Sequence, residues 1–312
     1  MIGVGHLGYH HARLYNDMPD VELTCVVDTN EKRAKEVADE FATTWSTEID
    51  AIQDDVVAAS IAVPTIDHFQ VAGRCIERGL DVLVEKPLTA TLEEGRLLTE
   101  QAERSRQILQ VGHVERFNGA VRKLASLVSQ PLFIEAHRMA PYSNRGDDVG
   151  VVLDLMIHDL DIMLALVRSP VAALHAVGVP VFSECEDIAN VRIIFESGCV
   201  ANLTVSRISV GAMRKIRIFQ RDCYISVDYE GQDIKVFRRT TDTVPPGVSP
   251  METISIEAPQ IDRTEPLQIE LKSFVNSVRT RQAPEVGGKE ACDALELAHR
   301  ITDNLRTSWE ML

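Results

Sequence analysis

The sequence predicts a doubly wound α/β domain followed by an α+β domain built on a mostly antiparallel sheet. Three observations predict it. In the first third, short β-branched runs alternate with segments of helical periodicity, the pattern of strands and crossover helices in a parallel sheet. A glycine-rich turn opens the chain at Gly3-Val4-Gly5-His6-Leu7-Gly8. Beyond residue 190, five short strand-like runs follow one another with only turns between them, as in an antiparallel sheet.

The elements follow in order. Glu22 to Val27 reads as a strand ending in Asp28, and Asn30 as the cap of a helix with apolar positions Ala34, Val37, Ala38 and Phe41. Val56 to Val63 is wholly apolar apart from Ser60, as expected of a strand buried on both faces, and Pro64 ends it. A helix runs through Phe69, Ala72 and Ile76, with Gly79 at its carboxyl end. Asp81 to Val84 is the next strand, and Thr91 with Glu94 forms a capping box before another helix. Gln107 to Val111 closes the first domain, placed at residues 1–115; residues 116–312 form the second. There a helix near Phe117 to Val128 and an apolar helix from Val151 precede strands at 191–195, 200–206, 215–219, 224–228 and 234–238. A Pro-, Thr- and Ser-rich loop follows at 240–250, and helices near 266–279 and 289–305 end the chain.

Only Met1 and Ile2 precede the first glycine, where a central strand normally supplies several apolar residues. The sequence reading expects the first strand to be truncated, with native residues missing before Met1.

Composition excludes several functions. A net charge of −15 is unsuited to a nucleic-acid partner, which requires a basic surface. No uncharged stretch is long enough to span a bilayer, and no cationic, apolar leader opens the chain. Six scattered cysteines without a C-x-x-C pair read as reduced thiols, which places the protein in the cytoplasm.

Two features carry chemistry. In the glycine turn, Gly3 permits the tight bend, Gly5 lets backbone approach a pyrophosphate and Gly8 lets helix pack against strand. Asp28 lies twenty residues beyond Gly8, at a strand end where a carboxylate meets a ribose 2′-hydroxyl and repels a 2′-phosphate. NAD is therefore expected over NADP; the competing reading makes Asp28 a solvated turn residue. The second feature is the apolar helix with a polar stripe: Asp154, His158 and Asp161 stand at i, i+4 and i+7. Such groups are costly in an apolar helix unless they line a cavity or pair. Lys86 ends the strand before Pro87, and ligands of α/β sheets bind at strand ends. Asp154 and His158 share helical spacing suited to a metal, but with no third ligand nearby no metal is expected.

Glu85-Lys86-Pro87, the Asp154/His158/Asp161 helix and the glycines, in this order and spacing, resemble the glucose–fructose oxidoreductase / inositol dehydrogenase / MocA family of NAD(P)-dependent sugar oxidoreductases. The resemblance covers essentially the whole chain. It implies a Rossmann domain and a second domain with a large open sheet that makes homodimers or homotetramers. It also implies catalytic roles for Lys86, His158 and Asp154. Val63-Pro64-Thr65 with His68 looks like the loop beside the nicotinamide, so the cofactor set comprises Gly3, Gly5, His6, Leu7, Gly8, Asp28, Val63, Pro64, Thr65, His68, Glu85 and Lys86. Residues 111–118 and 153–159 are similar to a branch that oxidises carbon 3 of UDP-N-acetylglucosamine, whose product an aminotransferase converts to an amino sugar of lipid A or related glycans. That implies a nucleotide-sugar substrate, with Arg116 and Arg138 facing its pyrophosphate and Asn118, Tyr142, Asn144 and Asp161 near the sugar. The bland alternative makes these arginines structural. Two other functions stay open: a dehydrogenase of a free sugar or polyol, and a non-catalytic NAD-binding regulator.

Overall fold

The computed structural model describes residues 1–142, 149–241, 243, 247 and 249–309, with the side chains of 250 and 307–309 excepted. The chain divides into two compact units, residues 1–114 with 265–295, and residues 115–264 with 296–312.

In the first unit, helix α1 spans His6–Asn16 and strand β1 Cys25–Val27. Then come α2 Glu31–Phe41, β2 Thr44–Ser46, β3 Ala58–Ile61, α3 Thr65–Glu77, β4 Asp81–Glu85, α4 Leu92–Ser105 and β5 Leu109–Gly112. Helix ends form where side chains supply partners for backbone N–H groups that the helix itself cannot satisfy. Asn30 accepts from the backbone of Arg33, and Thr91 and Glu94 form the reciprocal capping box. Gly79 adopts the left-handed conformation (φ 81°) just beyond α3, as its position in the sequence predicts. The strands are parallel. β1 pairs with β2, β3 with β4 and β4 with β5. Ile2 bridges in parallel to both Val27 and Ile61, so it sits between β1 and β3. β2 is absent from the sequence reading because Thr44-Trp45-Ser46 is short and mostly exposed. Helix α7, Pro266–Thr280, also belongs to this unit: its Leu267, Leu271 and Phe274 pack with Leu14, Tyr15 and Leu83.

In the second unit, α5 spans Gly119–Leu127 and β6 Phe133–Met139. A π-helical turn, Val152–Met156, leads into α6, Ile157–Val167. Strands β7 Val171–Val179, β8 Ile188–Phe195, β9 Val200–Ser206, β10 Met213–Phe219, β11 Cys223–Asp228, β12 Asp233–Arg239 and β13 Ile254–Glu257 follow. α8, Gly288–Trp309, ends the described chain; its residues up to 295 belong to the first unit and those from 296 to the second. The eight strands form one sheet in the order β13-β12-β11-β10-β6-β9-β8-β7, antiparallel except for the β6–β9 pair. Period-2 burial divides it into two faces. One face carries Ile134, Ala136, Val191, Ile193, Leu203, Ile216, Ile225 and Val236 into a core shared with Leu124, Met156, Leu160 and Ile301. The other carries a cross-strand ladder of Phe133, Phe219, Tyr224 and Phe237, with ring centroids 4.8 to 5.7 Å apart.

Candidate functional site

The first unit holds an open cleft of about 560 Å³ at the carboxyl ends of its strands, lined by Gly3, Gly5, Asp28, Val63 and Pro64 among others. The glycines have separate reasons to be there. Gly3 has φ 78°, and a Cβ on it would lie 2.6 Å from the Ala62 carbonyl oxygen. A Cβ on Gly8 would lie 1.8 Å from the Gly3 carbonyl oxygen, so any side chain would push helix from loop. At Gly5, which caps α1 without a side-chain bond, a Cβ would meet nothing within 4 Å. The uncapped N–H groups of the first turn of α1 therefore open onto unfilled space, the arrangement that receives a pyrophosphate. Asp28 is fixed by both oxygens: Oδ2 accepts from Val4 N at 2.8 Å and Oδ1 from Asn30 N at 2.9 Å. It is thus a turn residue, and it also lines the cleft. Thr29, Thr47 and Glu48 line the same cleft and escape sequence reading, since nothing in their spacing separates them from ordinary loop polar residues. Arg33 is another: its Nε donates to the Val4 carbonyl at 2.9 Å and tethers the glycine turn. These features fit NAD.

His6 and Leu7 are exposed in the first turn of α1, and Thr65 opens α3. His68 is buried. Its Nδ1 lies 2.9 Å from the Pro87 carbonyl oxygen and its Nε2 2.9 Å from that of Val63, so it sits between the Val63 segment and the one after Lys86. Glu85 is buried at the end of β4, and Lys86 is half-buried beside it. The Lys86–Pro87 peptide is cis.

In the second unit, Asp154 lies in the π turn and His158 in the first turn of α6, both half-buried. The α-helical spacing read from the sequence is thus corrected at Asp154, where the backbone winds as π, a form that clusters at functional sites. Local contacts shape this turn. Val152 N donates to Glu186 Oε1 at 3.2 Å and Val151 N to the Glu186 carbonyl at 3.1 Å. A Cβ on Gly150 would fall 2.0 Å from Glu186 Oε1, so the approach requires glycine. Asp187 beside it is buried, which disfavours its charge. Backbone N–H groups of Phe182, Val181 and Ser183 and the Arg207 guanidinium nevertheless hold its pKa below the usual carboxylate range.

The residues expected near substrate divide. Asp161 is buried and pairs with Arg116 at 3.2 Å. Asn118 caps α5, accepting from Ala120 N and donating to the Tyr229 carbonyl. Arg138 makes two bonds to Asp159, at 2.8 and 3.1 Å, and a third to Glu115 at 3.0 Å, almost fully buried. Burial works against its charge, but Asp159 and Glu115 more than offset this and raise its pKa above the ordinary value. Asn118 and Arg138 thus both make side-chain bonds within the second unit. Tyr142 is exposed and meets Phe182 edge to face at 5.5 Å. Asn144 lies outside the described residues. Among the described residues no group of three or more acidic, histidine or cysteine side chains is placed to hold a metal.

Removing Arg138 leaves buried Asp159 without its cation and Glu115 with only the longer pair to Arg214 at 3.9 Å. Arg138→Ala is expected to cost about 3–5 kcal/mol, read as the urea midpoint, whereas exchanging a buried ion pair for apolar groups of similar volume is often tolerated.

The Gfo/Idh/MocA family profile, described as an oxidoreductase family with an NAD-binding Rossmann fold, matches residues 1–113, and its C-terminal domain matches residues 114–225. The chain is a member of the Gfo/Idh/MocA family. It therefore belongs with NAD-binding oxidoreductases. Among curated members it is 36% identical over 281 residues to UDP-N-acetylglucosamine 3-dehydrogenase of Acidithiobacillus ferrooxidans, covering 89% of this chain and 87% of that protein. It is 29% identical over 228 residues to scyllo-inositol 2-dehydrogenase (NAD(+)) of Bacillus subtilis, covering 67% of each. A solved structure of the Acidithiobacillus ferrooxidans enzyme superposes with a TM-score of 0.91 at 34% identity, covering 98% of this chain and 96% of that one. This Gfo/Idh/MocA member also has no helix, among the described residues, long and apolar enough to cross a membrane.

Proposed function

We propose that this chain oxidises the carbon-3 hydroxyl of a UDP-N-acetylhexosamine, UDP-N-acetylglucosamine first, to a ketone. The observation that carries this reading is the likeness, over nearly the full length of both chains, to a protein of that activity. NAD, when bound, accepts the hydride from carbon 3. His158 takes the hydroxyl proton, because imidazole titrates near neutrality. Lys86 donates to the oxygen as negative charge develops on it. Asp154, one turn before His158, orients the ring or the sugar hydroxyl. Asp28 would hold the adenosine ribose, and Val63, Pro64 and Thr65 would hold the nicotinamide end of the cofactor. Arg116 and Tyr142 serve the substrate, Arg116 held in place by Asp161.

The test is formation of reduced cofactor with UDP-N-acetylglucosamine, UDP-N-acetylglucosaminuronic acid, inositol and glucose in parallel. Turnover on a UDP-sugar alone supports the reading. Turnover on inositol alone overturns it in favour of a polyol dehydrogenase. Cofactor binding without turnover on any of them favours a regulator.

The Asp28 assignment has its own test. Asp28→Ala is expected to narrow the preference for NAD over NADP, seen as the ratio of their kcat/KM values, since the carboxylate that repels a 2′-phosphate is gone. An unchanged ratio confines Asp28 to its turn.

Two further properties belong to the proposal. None of the six cysteines is in a disulfide and four of them are buried, which supports a reducing compartment and hence the cytoplasm. The aromatic ladder on the open sheet face supports a homodimer or homotetramer, since aromatic side chains are enriched in interfaces.

A further inference from the structure

We propose that Lys86 is pinned from both sides by two buried histidines, His11 and His68, acting with Glu85 as positioning residues for its ammonium. The proposal rests on Lys86 being the group that stabilises the reacting oxygen. β4 is buried at all five positions, yet it ends in a carboxylate. A buried carboxylate is costly unless it is paired and hydrogen-bonded. Glu85 Oε1 lies 3.1 Å from Nε2 of His11, and Oε2 accepts the backbone N–H of Lys86 at 3.3 Å. His11 is fully buried on α1, and its Nδ1 lies 2.8 Å from the Ser60 hydroxyl of β3. The Nδ1 of His11 and the Ser60 hydroxyl form a hydrogen bond, while Nε2 faces Glu85 Oε1 at ion-pair distance without a well-aligned hydrogen bond. Room for the carboxylate comes from β5, where a Cβ on Gly112 would lie 2.7 Å from Glu85 Oε1.

On the other side, buried His68 lies between two carbonyl oxygens, that of Pro87 at 2.9 Å from Nδ1 and that of Val63 at 2.9 Å from Nε2, and a ring with one N–H donates to one of the two. The residue entering Lys86 thus packs against His11 of α1, itself bonded to β3, and the residue leaving it packs against His68 of α3. Lysine carries its charge on a flexible four-carbon stem. Fixing the backbone at both ends of the residue restricts where that stem begins, which is how a supporting shell sets the geometry of a reacting group.

The first readout needs no substrate. Lysines of the full chain are reductively dimethylated with isotope-labelled formaldehyde, and the Lys86 signal is assigned by its loss in Lys86→Arg. In Glu85→Met that signal is expected to move toward the position of exposed lysines; in Glu85→Gln, whose carbonyl oxygen can still accept from Lys86 N, it is expected to stay. An unmoved signal in folded Glu85→Met overturns the proposal. The second readout is kinetic. Glu85→Met is expected to lower kcat about tenfold or more with KM and NAD affinity within about twofold. In a Lys86→Ala background it is expected to cost nothing more, because it acts through Lys86. An additive loss overturns the proposal. His68→Leu is taken through the same cycle with the same expectation. Should His11→Phe or Glu85→Met fail to fold, the same cycle run with His68→Leu decides the matter. If Lys86→Ala alone keeps full turnover, the role of Lys86 fails and the pinning fails with it; if Lys86→Ala is inactive and both brace variants are fully active, only the pinning fails.

Discussion

Lys86→Ala is expected to lower kcat by about a hundred- to a thousandfold while NAD still binds. The magnitude is that of removing one preorganised donor from an oxygen that gains charge in the transition state, roughly 2.7–4 kcal/mol. Fold loss is not expected to account for it, because Lys86 is half-buried after the last residue of β4 and no strand bond depends on its side chain. The checks are steady-state kcat and titration of NAD by quenching of intrinsic fluorescence. Preserved affinity with lost turnover also removes the purely regulatory reading, since a sensor needs the cofactor and not the ammonium. Turnover within about twofold of the parent would remove Lys86 from the chemistry; the general reason is that only interactions stronger in the transition state than in the ground state accelerate the step.

His158→Asn is expected to lower kcat by about a hundred- to ten-thousandfold, the range for general acid–base catalysis, with a smaller change in KM. Asparagine keeps polarity and approximate size on α6 but cannot take a proton at neutral pH. The pH profile separates the two roles. A base works only when deprotonated, so kcat/KM of the parent falls toward acid as the imidazole gains its proton. That acid limb is expected to disappear in the variant. An acid limb retained in full would assign it to another group and leave His158 as a binding residue.

Much of this was legible in the chain because the signals are local. The capping box at Thr91, the Asn30 cap and the glycine after α3 depend on side chains within a few residues, and each stands where its sequence placed it. The glycine turn was legible for the same reason. Arg138 was not, because its environment is set by a strand the sequence did not announce. Phe133-Ile-Glu-Ala-His-Arg-Met alternates, and period 2 puts Arg138 on the face of Ile134 and Ala136, which is the core. Recognising β6 would have turned the expectation from a pyrophosphate contact to a buried ion pair. The π turn at Val152–Met156 escaped for a different reason. It depends on Glu186, more than thirty residues away, meeting Val152 N beside a glycine. No periodicity in the helix encodes that contact. Residues 265–295 likewise return to the first unit without any break in composition to mark them.

The central claim is that a UDP-linked N-acetylhexosamine is the alcohol oxidised. The most direct test follows NAD reduction by absorbance with UDP-N-acetylglucosamine as sole substrate, a 2-oxo acid in a parallel reaction to recycle tightly held cofactor, and mass spectrometry of the sugar product. The account predicts loss of two hydrogens from the sugar, located at carbon 3, and no turnover of free inositol or glucose. Oxidation of inositol with the UDP-sugar untouched would contradict it.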